Sequence, residues 1–271
     1  MQSGIAPLIM VEKVKIADEW LPAPEHPVLR SGTVDIWIAI LPEDAASEAI
    51  AAPVLSDDER ERASRFRFQR DRVRYIAGRA FLRQILARYS GLNPEAFCFR
   101  YNEYGKPFVH SSPPLKERAG VREQPGGEIE FNLAHSRGLA IYGFATGVAI
   151  GVDIEAVRPD IAAEEIAERF FAPKEREVLR RLPAENRTSA FFECWTRKEA
   201  FIKARGMGLS LALDQFEVGF GPGVRPALLS VVGDPDAGER WHMSDLRPAD
   251  GFAGALAVEG KVSEVRLWRF Q

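Results

Sequence analysis

The sequence predicts an α+β fold, and two observations lead to this prediction. Short runs of alternating apolar and polar residues, typical of strands, occur in groups, and longer stretches with helical spacing separate the groups. The order strand, helices, strands also occurs twice along the 271 residues. This repetition indicates either two duplicated lobes with a boundary near Gly147 or a single α+β domain whose elements follow the same order by chance.

The first half begins with an extension and continues with a strand, a helical region and further strands. Residues 1–32 are rich in proline and lack periodicity, so we expect them to lie over the surface or to be partly disordered. Residues 34–40 alternate like a strand with one face on a core. Ser56, followed by three acidic residues, predicts a capped helix start, and residues 70–89 continue with helical spacing. Four short strands follow, interrupted by a loop at residues 111–127 that is rich in proline and glycine.

The second half repeats this order. A strand is predicted at residues 149–155, and strands are predicted again from Asp214 onward. Helical spacing is found between them at residues 161–170, from Pro173, and at residues 187–205. We therefore divide the chain into three parts: an extension at residues 1–32, an N-terminal lobe at residues 33–147 and a C-terminal lobe at residues 148–271.

Composition and charge exclude several classes of protein. The net charge is -3 with both signs interspersed, which argues against a general nucleic-acid binder. No apolar run approaches the roughly 18 residues that span a bilayer, so no membrane partner is expected. Cys98 and Cys194 lie far apart and outside any Cys-x-x-Cys pattern, which indicates neither a zinc site nor a disulfide framework. The sequence therefore predicts a cytoplasmic protein.

Two carboxylates share one face of the strand predicted at residues 149–155. Apolar and acidic residues alternate in the run Gly-Val-Asp-Ile-Glu, so Asp153 and Glu155 point to the same side. Their repulsion needs either screening water or a positive partner between them. The pattern is therefore consistent with a solvated strand face or with a bound divalent cation.

A third carboxylate, Glu199, interrupts the apolar stripe of the last long helix. Apolar residues flank it at helical spacing, and a charge on such a face needs a partner. Lys203, one turn later, offers an ordinary ion pair. The other candidate partner is a Mg²⁺ ion held jointly with Asp153 and Glu155, since Mg²⁺ prefers a few carboxylates together with water and phosphate oxygens.

Several basic or polar residues are candidates for contacts to phosphate. Lys106 lies in a tight turn of sequence Tyr-Gly-Lys-Pro, where it is either solvated or aimed at a phosphate. His135 and Ser136 end a predicted strand at a place typical of ligand-facing loops, although a half-buried structural histidine fits equally well. Arg62 and Arg74 belong to an arginine-rich stretch that forms either a solvated surface or a source of cations for an anionic cofactor or acidic partner.

Taken together, these motifs resemble those of the larger, two-lobed class of 4′-phosphopantetheinyl transferases, the class that activates surfactin synthetase. In chain order the motifs are Tyr104-Gly-Lys-Pro107, Asn132 to Ser136, Gly151-Val-Asp-Ile-Glu155, Trp195-Thr-Arg-Lys-Glu-Ala-Phe-Ile-Lys203 and Gly208-Leu-Ser210. The resemblance covers the chain from about Val34 to the last strands. Its most specific part is the run Trp-x-x-Lys-Glu-Ala-x-x-Lys that follows the acidic strand.

The resemblance implies an α+β fold of two pseudo-symmetric lobes, each a small and mostly antiparallel sheet packed on helices, with coenzyme A in the cleft between them. The implied Mg²⁺ ligands are Asp153, Glu155 and Glu199. The implied contacts to coenzyme A are Lys106, which would reach the 3′-phosphate, and Arg62, Arg74, His135, Ser136 and Lys203. Glu199, Lys203 and His135 are the implied catalytic residues.

The implied reaction transfers 4′-phosphopantetheine from coenzyme A to a serine of an apo acyl, polyketide or peptidyl carrier protein and releases 3′,5′-adenosine bisphosphate. Such reactions serve fatty-acid, polyketide and nonribosomal-peptide synthesis, and the larger members of the family are typically monomers. Ala134 departs from the family pattern, which has a serine before the histidine, and Ser136 is a candidate to replace the missing hydroxyl. Two other functions fit the residues: a Mg²⁺-dependent phosphohydrolase and a nonenzymatic carrier-binding module.

Overall fold

The described part of the chain has the predicted α+β class. The computed structural model describes residues 15–110 and 122–270. The strands are β1 (Leu21–Pro22), β2 (Thr33–Ile40), β3 (Cys98–Tyr101), β4 (Pro107–His110), β5 (Ile129–Ser136), β6 (Leu139–Thr146), β7 (Ile150–Ala156), β8 (Phe216–Gly219), β9 (Ala227–Val231), β10 (Trp241–Leu246), β11 (Phe252–Glu259) and β12 (Glu264–Arg269). The α-helices are α1 (Ala45–Ala51), α2 (Asp57–Ser64), α3 (Gln69–Ser90), α4 (Ala163–Phe170), α5 (Pro173–Arg181), α6 (Ala184–Arg205) and α7 (Ala237–Arg240). Residues 1–14 of the predicted extension and residues 111–121 of the predicted loop lie outside the described residues.

The helix ends follow signals in the sequence. Helix α2 begins after Ser56, whose backbone N–H and hydroxyl both donate to the Glu59 carboxylate over 3.1 Å, as in a capping box. Helices α3 and α6 end at Gly91 and Gly206, whose left-handed backbones have φ of 76° and 63°. In the described part of the chain, no helix is both long and apolar enough to cross a membrane.

Two sheets form the centre of the molecule. The larger has the strand order β1-β12-β2-β6-β5, and the smaller has the order β10-β11-β7. The smaller sheet is antiparallel throughout. In the larger sheet β12 runs parallel to both β1 and β2, while β2, β6 and β5 are antiparallel neighbours. The parallel pairs arise because the last strand joins a sheet that residues far earlier in the chain have built.

Each sheet carries one long helix on its outer face, and the inner faces of the two sheets meet. Helix α3 packs on the larger sheet and helix α6 on the smaller. A third apolar cluster lies between the sheets and joins β2 and β6 to β7 and β11. Its members include Ile36, Ile38, Ile141, Val152, Ile154 and Leu256.

Strand β2 is buried on both faces, whereas its sequence pattern predicted one buried face. Ile36 faces the cluster between the sheets, and Trp37 faces α3. Asp35 is also fully buried and accepts hydrogen bonds from the Tyr89 hydroxyl (2.5 Å) and from two guanidinium nitrogens of Arg266 (2.6 and 2.9 Å). The alternation in the sequence could not show that both faces are buried, because hydrogen bonds such as these allow a polar residue to lie in the core.

Residues 15–32 pack against the body of the protein. Trp20 is 1% exposed, and its Nε1 donates to the carbonyl oxygen of Arg247 over 2.9 Å. Leu29 is fully buried, and β1 pairs with β12. Residues 15–32 therefore contact both sheets, since Arg247 follows β10 of the smaller sheet and β12 belongs to the larger sheet.

Strand β12 does not follow the predicted division into lobes. It lies within the residues assigned to the C-terminal lobe, yet it pairs with β1 and β2 in the larger sheet. The boundary between the lobes near Gly147 stays a prediction. Strand β12 nevertheless completes a sheet that the first half of the chain builds.

Candidate active site

Strand β7 and helix α6 approach each other closely, and this contact builds the site. A Cβ on Gly151 would lie only 2.0 Å from the carbonyl oxygen of Ala200 and 2.3 Å from the backbone nitrogen of Ala204. Real atoms never approach so closely, so only glycine fits at this position of β7. As a result, the acidic face of β7 lies directly against the helix.

Asp153 is the most deeply buried carboxylate of the site. It is 4% exposed, and its Oδ1 accepts a hydrogen bond from the Nζ of Lys203 over 2.5 Å. Its Oδ2 is buried and has no hydrogen-bond partner among the described residues. The acidic face of β7 is therefore buried rather than solvated at Asp153. Among the described residues, Lys203 forms its ion pair with Asp153 and not with Glu199.

The three carboxylates influence one another. Burial raises the pKa of Asp153 from 3.8 to about 7, Lys203 opposes this shift, and the charges of Glu199 and Glu155 add to it. Burial also raises the pKa of Glu199, again opposed by Lys203 and increased by Glu155. These mutual effects place the three predicted metal ligands within range of each other's charge.

Strands β5 and β7 are the facing edges of the two sheets, and side chains join them. The Asn132 Oδ1 accepts a hydrogen bond from the backbone N–H of Val152 over 3.0 Å. Four residues later on both strands, the Ser136 Oγ accepts from the backbone N–H of Ala156 over 3.0 Å. The Ser136 hydroxyl also donates to the Oε2 of Glu155 over 3.0 Å. Ser136 therefore lies in the site, bound to a predicted metal ligand.

His135 lies at the exposed end of β5 among other cations. Desolvation lowers its pKa from the ordinary 6.5, and the nearby charges of Lys203 and Arg74 lower it further. Arg74, on α3, forms an ion pair with Glu43, and its guanidinium lies beside Gly138 in the turn after β5. The side chains of His135, Lys203 and Arg74 thus form a basic patch next to the carboxylates.

Lys106 lies apart from the carboxylates. Its Nζ donates to the carbonyl oxygens of Ile150 and Ala204, over 3.1 Å in each case, and desolvation lowers its pKa. Ile150 precedes Asp153 by three strand positions, so the ammonium lies about 10 Å from that residue along β7. A lysine has three donors, and one remains for a ligand.

Arg62 is also separate from the carboxylate cluster. Its guanidinium lies over the ring of Tyr75, 5.7 Å from the centroid. It lines a shallow depression of about 530 Å³ together with two acidic residues of α2, Asp58 and Glu61, and with Arg65 and Phe66, which follow that helix. The structure therefore groups most of the predicted site residues around the acidic face of β7. Lys106 instead contacts the first residue of β7 and the end of α6, and Arg62 lies on α2.

The carboxylates suit a hard divalent cation, although they do not form a closed metal site by themselves. Within residues 15–110 and 122–270, no group of three His, Cys, Asp or Glu side chains is arranged to hold a metal ion. The buried Oδ2 of Asp153 nevertheless lacks a hydrogen-bond partner among the described residues and lies near two further carboxylates. A cation would satisfy that oxygen and remove the mutual repulsion, so Asp153, Glu155 and Glu199 fit Mg²⁺.

Comparison with known proteins decides the family. Residues 149–257 match the family described as the 4′-phosphopantetheinyl transferase superfamily, and residues 42–142 match the family described as the N-terminal part of 4′-phosphopantetheinyl transferase. The 4′-phosphopantetheinyl transferase HetI of Nostoc sp. is 36% identical over 251 residues, which cover 93% of this chain and 98% of that protein. The chain belongs to the 4′-phosphopantetheinyl transferase superfamily.

Other members of the superfamily match part of the chain. A 4′-phosphopantetheinyl transferase from Bacillus subtilis is 34% identical over 177 residues, covering 65% of this chain and 71% of that protein. The 4′-phosphopantetheinyl transferase Sfp from Bacillus subtilis strain 168 is 34% identical over 164 residues, covering 60% and 66%. The resemblance stated from the motifs is thereby confirmed, and neither the phosphohydrolase nor the nonenzymatic binding module finds a counterpart among these relatives.

Sequence reasoning missed three features that position the site residues of this superfamily member. These are the close approach at Gly151, the bond from Ser136 to Glu155, and the ion pair between Arg74 and Glu43. A glycine inside a strand is a known sign of close backbone approach, so the first could have been suspected. The other two join residues 19 and 31 positions apart, and no local pattern reports them.

Proposed function

We propose that the chain transfers the 4′-phosphopantetheine group of coenzyme A to a serine of an apo carrier protein, with Mg²⁺ held by Asp153, Glu155 and Glu199. The observation that carries the proposal is the buried Oδ2 of Asp153, which has no hydrogen-bond partner among the described residues and lies near two further carboxylates and Lys203. Family membership supports the transfer reaction, and the donor set supports the metal.

The chain's own residues bind and orient the pyrophosphate of coenzyme A. Lys203, His135 and Arg74 supply positive charge and hydrogen-bond donors for phosphate oxygens. His135 has a lowered pKa without ligand, and a phosphate at this place would raise the pKa again and favour the charged ring. Lys106 and Arg62 would contact more distant parts of coenzyme A, with Lys106 on the 3′-phosphate.

The reaction forms a bond between the serine oxygen of the carrier and the β-phosphorus of coenzyme A. The bond from that phosphorus to 3′,5′-adenosine bisphosphate breaks, and this group leaves. The bound metal would offset negative charge on the pyrophosphate. Glu199 takes the serine proton, directly or through a water molecule.

The proposal extends to the acceptor, the oligomeric state and the location of the protein. An acyl, polyketide or peptidyl carrier is the acceptor, in fatty-acid, polyketide or nonribosomal-peptide synthesis. A monomer is proposed because one chain supplies both central sheets. A reducing, cytoplasmic location agrees with Cys98 and Cys194, which are both free.

The experiment that tests the function is intact-mass measurement of purified apo carrier proteins after incubation with this protein, coenzyme A and Mg²⁺. We expect a gain of one phosphopantetheine group that a chelator abolishes. Cleavage of coenzyme A without an acceptor would indicate the phosphohydrolase instead, and binding of a carrier without any cleavage would indicate the nonenzymatic module.

The proposed base is tested by Glu199→Gln. We expect turnover at saturating Mg²⁺ to fall by about 10² or more, because the amide cannot accept the serine proton. Glu185→Gln, at an exposed position in the first turn of the same helix, is the matched control and should leave turnover unchanged. Near-normal turnover of Glu199→Gln would remove Glu199 from the role of base.

A further inference from the structure

We infer that Ser136 is a positioning residue that holds Glu155 ready to bind the metal, rather than a residue that donates to coenzyme A. This inference rests on the proposed function, since it concerns the metal site of that reaction. It also replaces the expectation that the Ser136 hydroxyl makes up for the hydroxyl missing at Ala134.

The hydrogen bonds of Ser136 carry the inference. A serine hydroxyl has one proton to donate and two lone pairs to accept with. The proton goes to the Oε2 of Glu155 over 3.0 Å, and one lone pair accepts the backbone N–H of Ala156 over 3.0 Å. In this arrangement Ser136 has no donor left for a phosphate oxygen.

The backbone around Ser136 fixes the hydroxyl in place. Ser136 pairs with Leu139 across a two-residue turn formed by Arg137 and Gly138, both of which have positive φ (42° and 88°). Such turns match the twist of the strands and fix their register. The hydroxyl is therefore held against β7 by its own hairpin as well as by the N–H of Ala156.

Glu155 depends on this contact. Among the hydrogen bonds of the described residues, the bond from Ser136 is the one in which the Glu155 carboxylate takes part. A half-buried glutamate without it would sample several rotamers and would have to be ordered when the metal binds. Groups that hydrogen-bond to metal ligands orient them in this way, and their loss commonly weakens metal binding about tenfold or more.

Asn132 provides a matched control on the same strand. Its side chain also accepts a backbone N–H of β7, that of Val152, over 3.0 Å. Asn132 thus makes the same kind of bond between the sheets. The hydrogen bonds of the described residues join it to the Val152 backbone and not to a carboxylate. A general weakening of the junction would affect both positions, whereas loss of Glu155 positioning would affect Ser136 alone.

The test is a titration of the purified protein with Mn²⁺, followed by the electron paramagnetic resonance signal of the free ion, first alone and then with coenzyme A. We expect Ser136→Ala to bind Mn²⁺ about tenfold more weakly than wild type and Ser136→Thr, which keeps the hydroxyl, to bind like wild type. Asn132→Ala should lower the urea midpoint of unfolding, as Ser136→Ala does, but should keep the wild-type affinity for Mn²⁺.

Equal Mn²⁺ affinity of Ser136→Ala and wild type would overturn the inference, and so would an equal loss in Asn132→Ala. A wild-type protein that binds no Mn²⁺ under either condition would overturn both the metal assignment and the inference. Transfer of phosphopantetheine, measured separately by intact mass, would still decide whether the proposed function holds.

Discussion

At the scale of single residues, Asp153 carries an electrostatic cost that the fold imposes. It lies among two other carboxylates in a place that excludes water, and one of its oxygens has no partner within the described residues. Lys203 offsets only part of this cost, because burial still raises the pKa of Asp153 to about 7. Such a strained group is typical of sites whose arrangement serves a ligand rather than stability.

Replacing Asp153 with Asn should change how stability depends on pH. In the metal-free protein the folded state binds more protons than the unfolded state between about pH 4 and pH 7, because the pKa of Asp153 is raised above its ordinary 3.8. The free energy of unfolding of wild type should therefore fall as pH rises through this window, by about 4 kcal/mol from this group.

Urea unfolding at a series of pH values, with a chelator present, measures this effect. The Asp153→Asn protein should lack this part of the slope and should be the more stable of the two above pH 7. Parallel curves for the two proteins would show that the carboxyl has an ordinary pKa.

Gly151 sets the distance between β7 and α6. A methyl group at this position would overlap two backbone atoms of the helix, and neither can move without shifting α6. We expect Gly151→Ala to lower the free energy of unfolding by about 3 kcal/mol and to weaken Mn²⁺ binding, as measured by urea unfolding and metal titration. Gly105→Ala is an informative contrast: its Cβ would meet nothing within 4 Å, although its φ of +83° carries some strain. A Gly151→Ala protein as stable as wild type would disprove the close approach.

At the residue scale the sequence predicted the strand face on which two acids lie but not how these acids are held. The alternation at residues 151–155 correctly placed Asp153 and Glu155 on one face, opposite Val152 and Ile154. It could not tell a solvated face from a buried one, because that depends on the helix packed against it. Lys203 illustrates the same limit. Its spacing from Glu199 suggested an ion pair within the helix, but its ion-pair partner in the structure is Asp153 of β7, the strand against which α6 packs.

At the scale of elements, helix α6 is anchored on the side away from the site. Lys198 is fully buried and donates to Glu175 of α5 over 2.7 Å and to the carbonyl oxygens of Leu213 and Phe216 over 2.8 and 2.6 Å. Arg197 binds Asp245 of β10 through two nitrogens. These bonds prevent rotation of the helix and so fix the direction in which Glu199 and Lys203 project.

Removing the buried anchor should cost far more than removing an exposed pair. Lys198→Met leaves Glu175 buried without its cation, so we expect the free energy of unfolding to fall by about 3 to 5 kcal/mol. The matched control is Lys174→Met, whose lysine is 80% exposed in its pair with Glu217 and should cost less than about 1 kcal/mol. Urea unfolding compares the two, and similar losses would mean that the buried pair does not anchor α6.

Element prediction from sequence succeeded where local signals were strong. The long helix predicted from residue 70 to residue 89 is α3, which spans Gln69–Ser90, and the helix predicted from Pro173 begins at that residue as α5. The helix predicted at residues 187–205 begins three residues earlier, at Ala184. It starts directly after Pro183, a residue that is tolerated at the start of a helix but not in its interior. The burial of Trp20 and Leu29 in residues 15–32 was not predicted, since these residues follow no repeating spacing.

At the scale of the whole molecule, distant parts of the chain complete each other's sheets. Strand β12 lies between β1 and β2, and Arg266 of β12 neutralises Asp35, which is fully buried in β2. The cluster between the sheets then joins both halves into one core. No sequence pattern could predict this arrangement, because the partners are 231 residues apart.

Arg266→Ala tests the importance of this long-range tie. It leaves Asp35 buried with Tyr89 but without a cation, so we expect a loss of about 3 to 5 kcal/mol in the free energy of unfolding. Arg269→Ala is the control on the same strand, since Arg269 reaches only the carbonyl oxygen of Ala17, over 3.4 Å, among its described contacts, and should cost about 1 kcal/mol. Thermal or urea unfolding measures both, and equal losses would show that the pair with Asp35 contributes nothing.

The position of β12 also bears on how the protein is made. A ribosome releases residues in order, and β2 needs a partner on each side to be an inner strand of its sheet. Until residues 264–269 have left the ribosome, one edge of β2 has open backbone groups, and a growing chain with such an edge is prone to pair with others. The larger sheet therefore completes only after residues 264–269 have emerged, and nascent chains that stall before β12 are the form most exposed to aggregation and to chaperones.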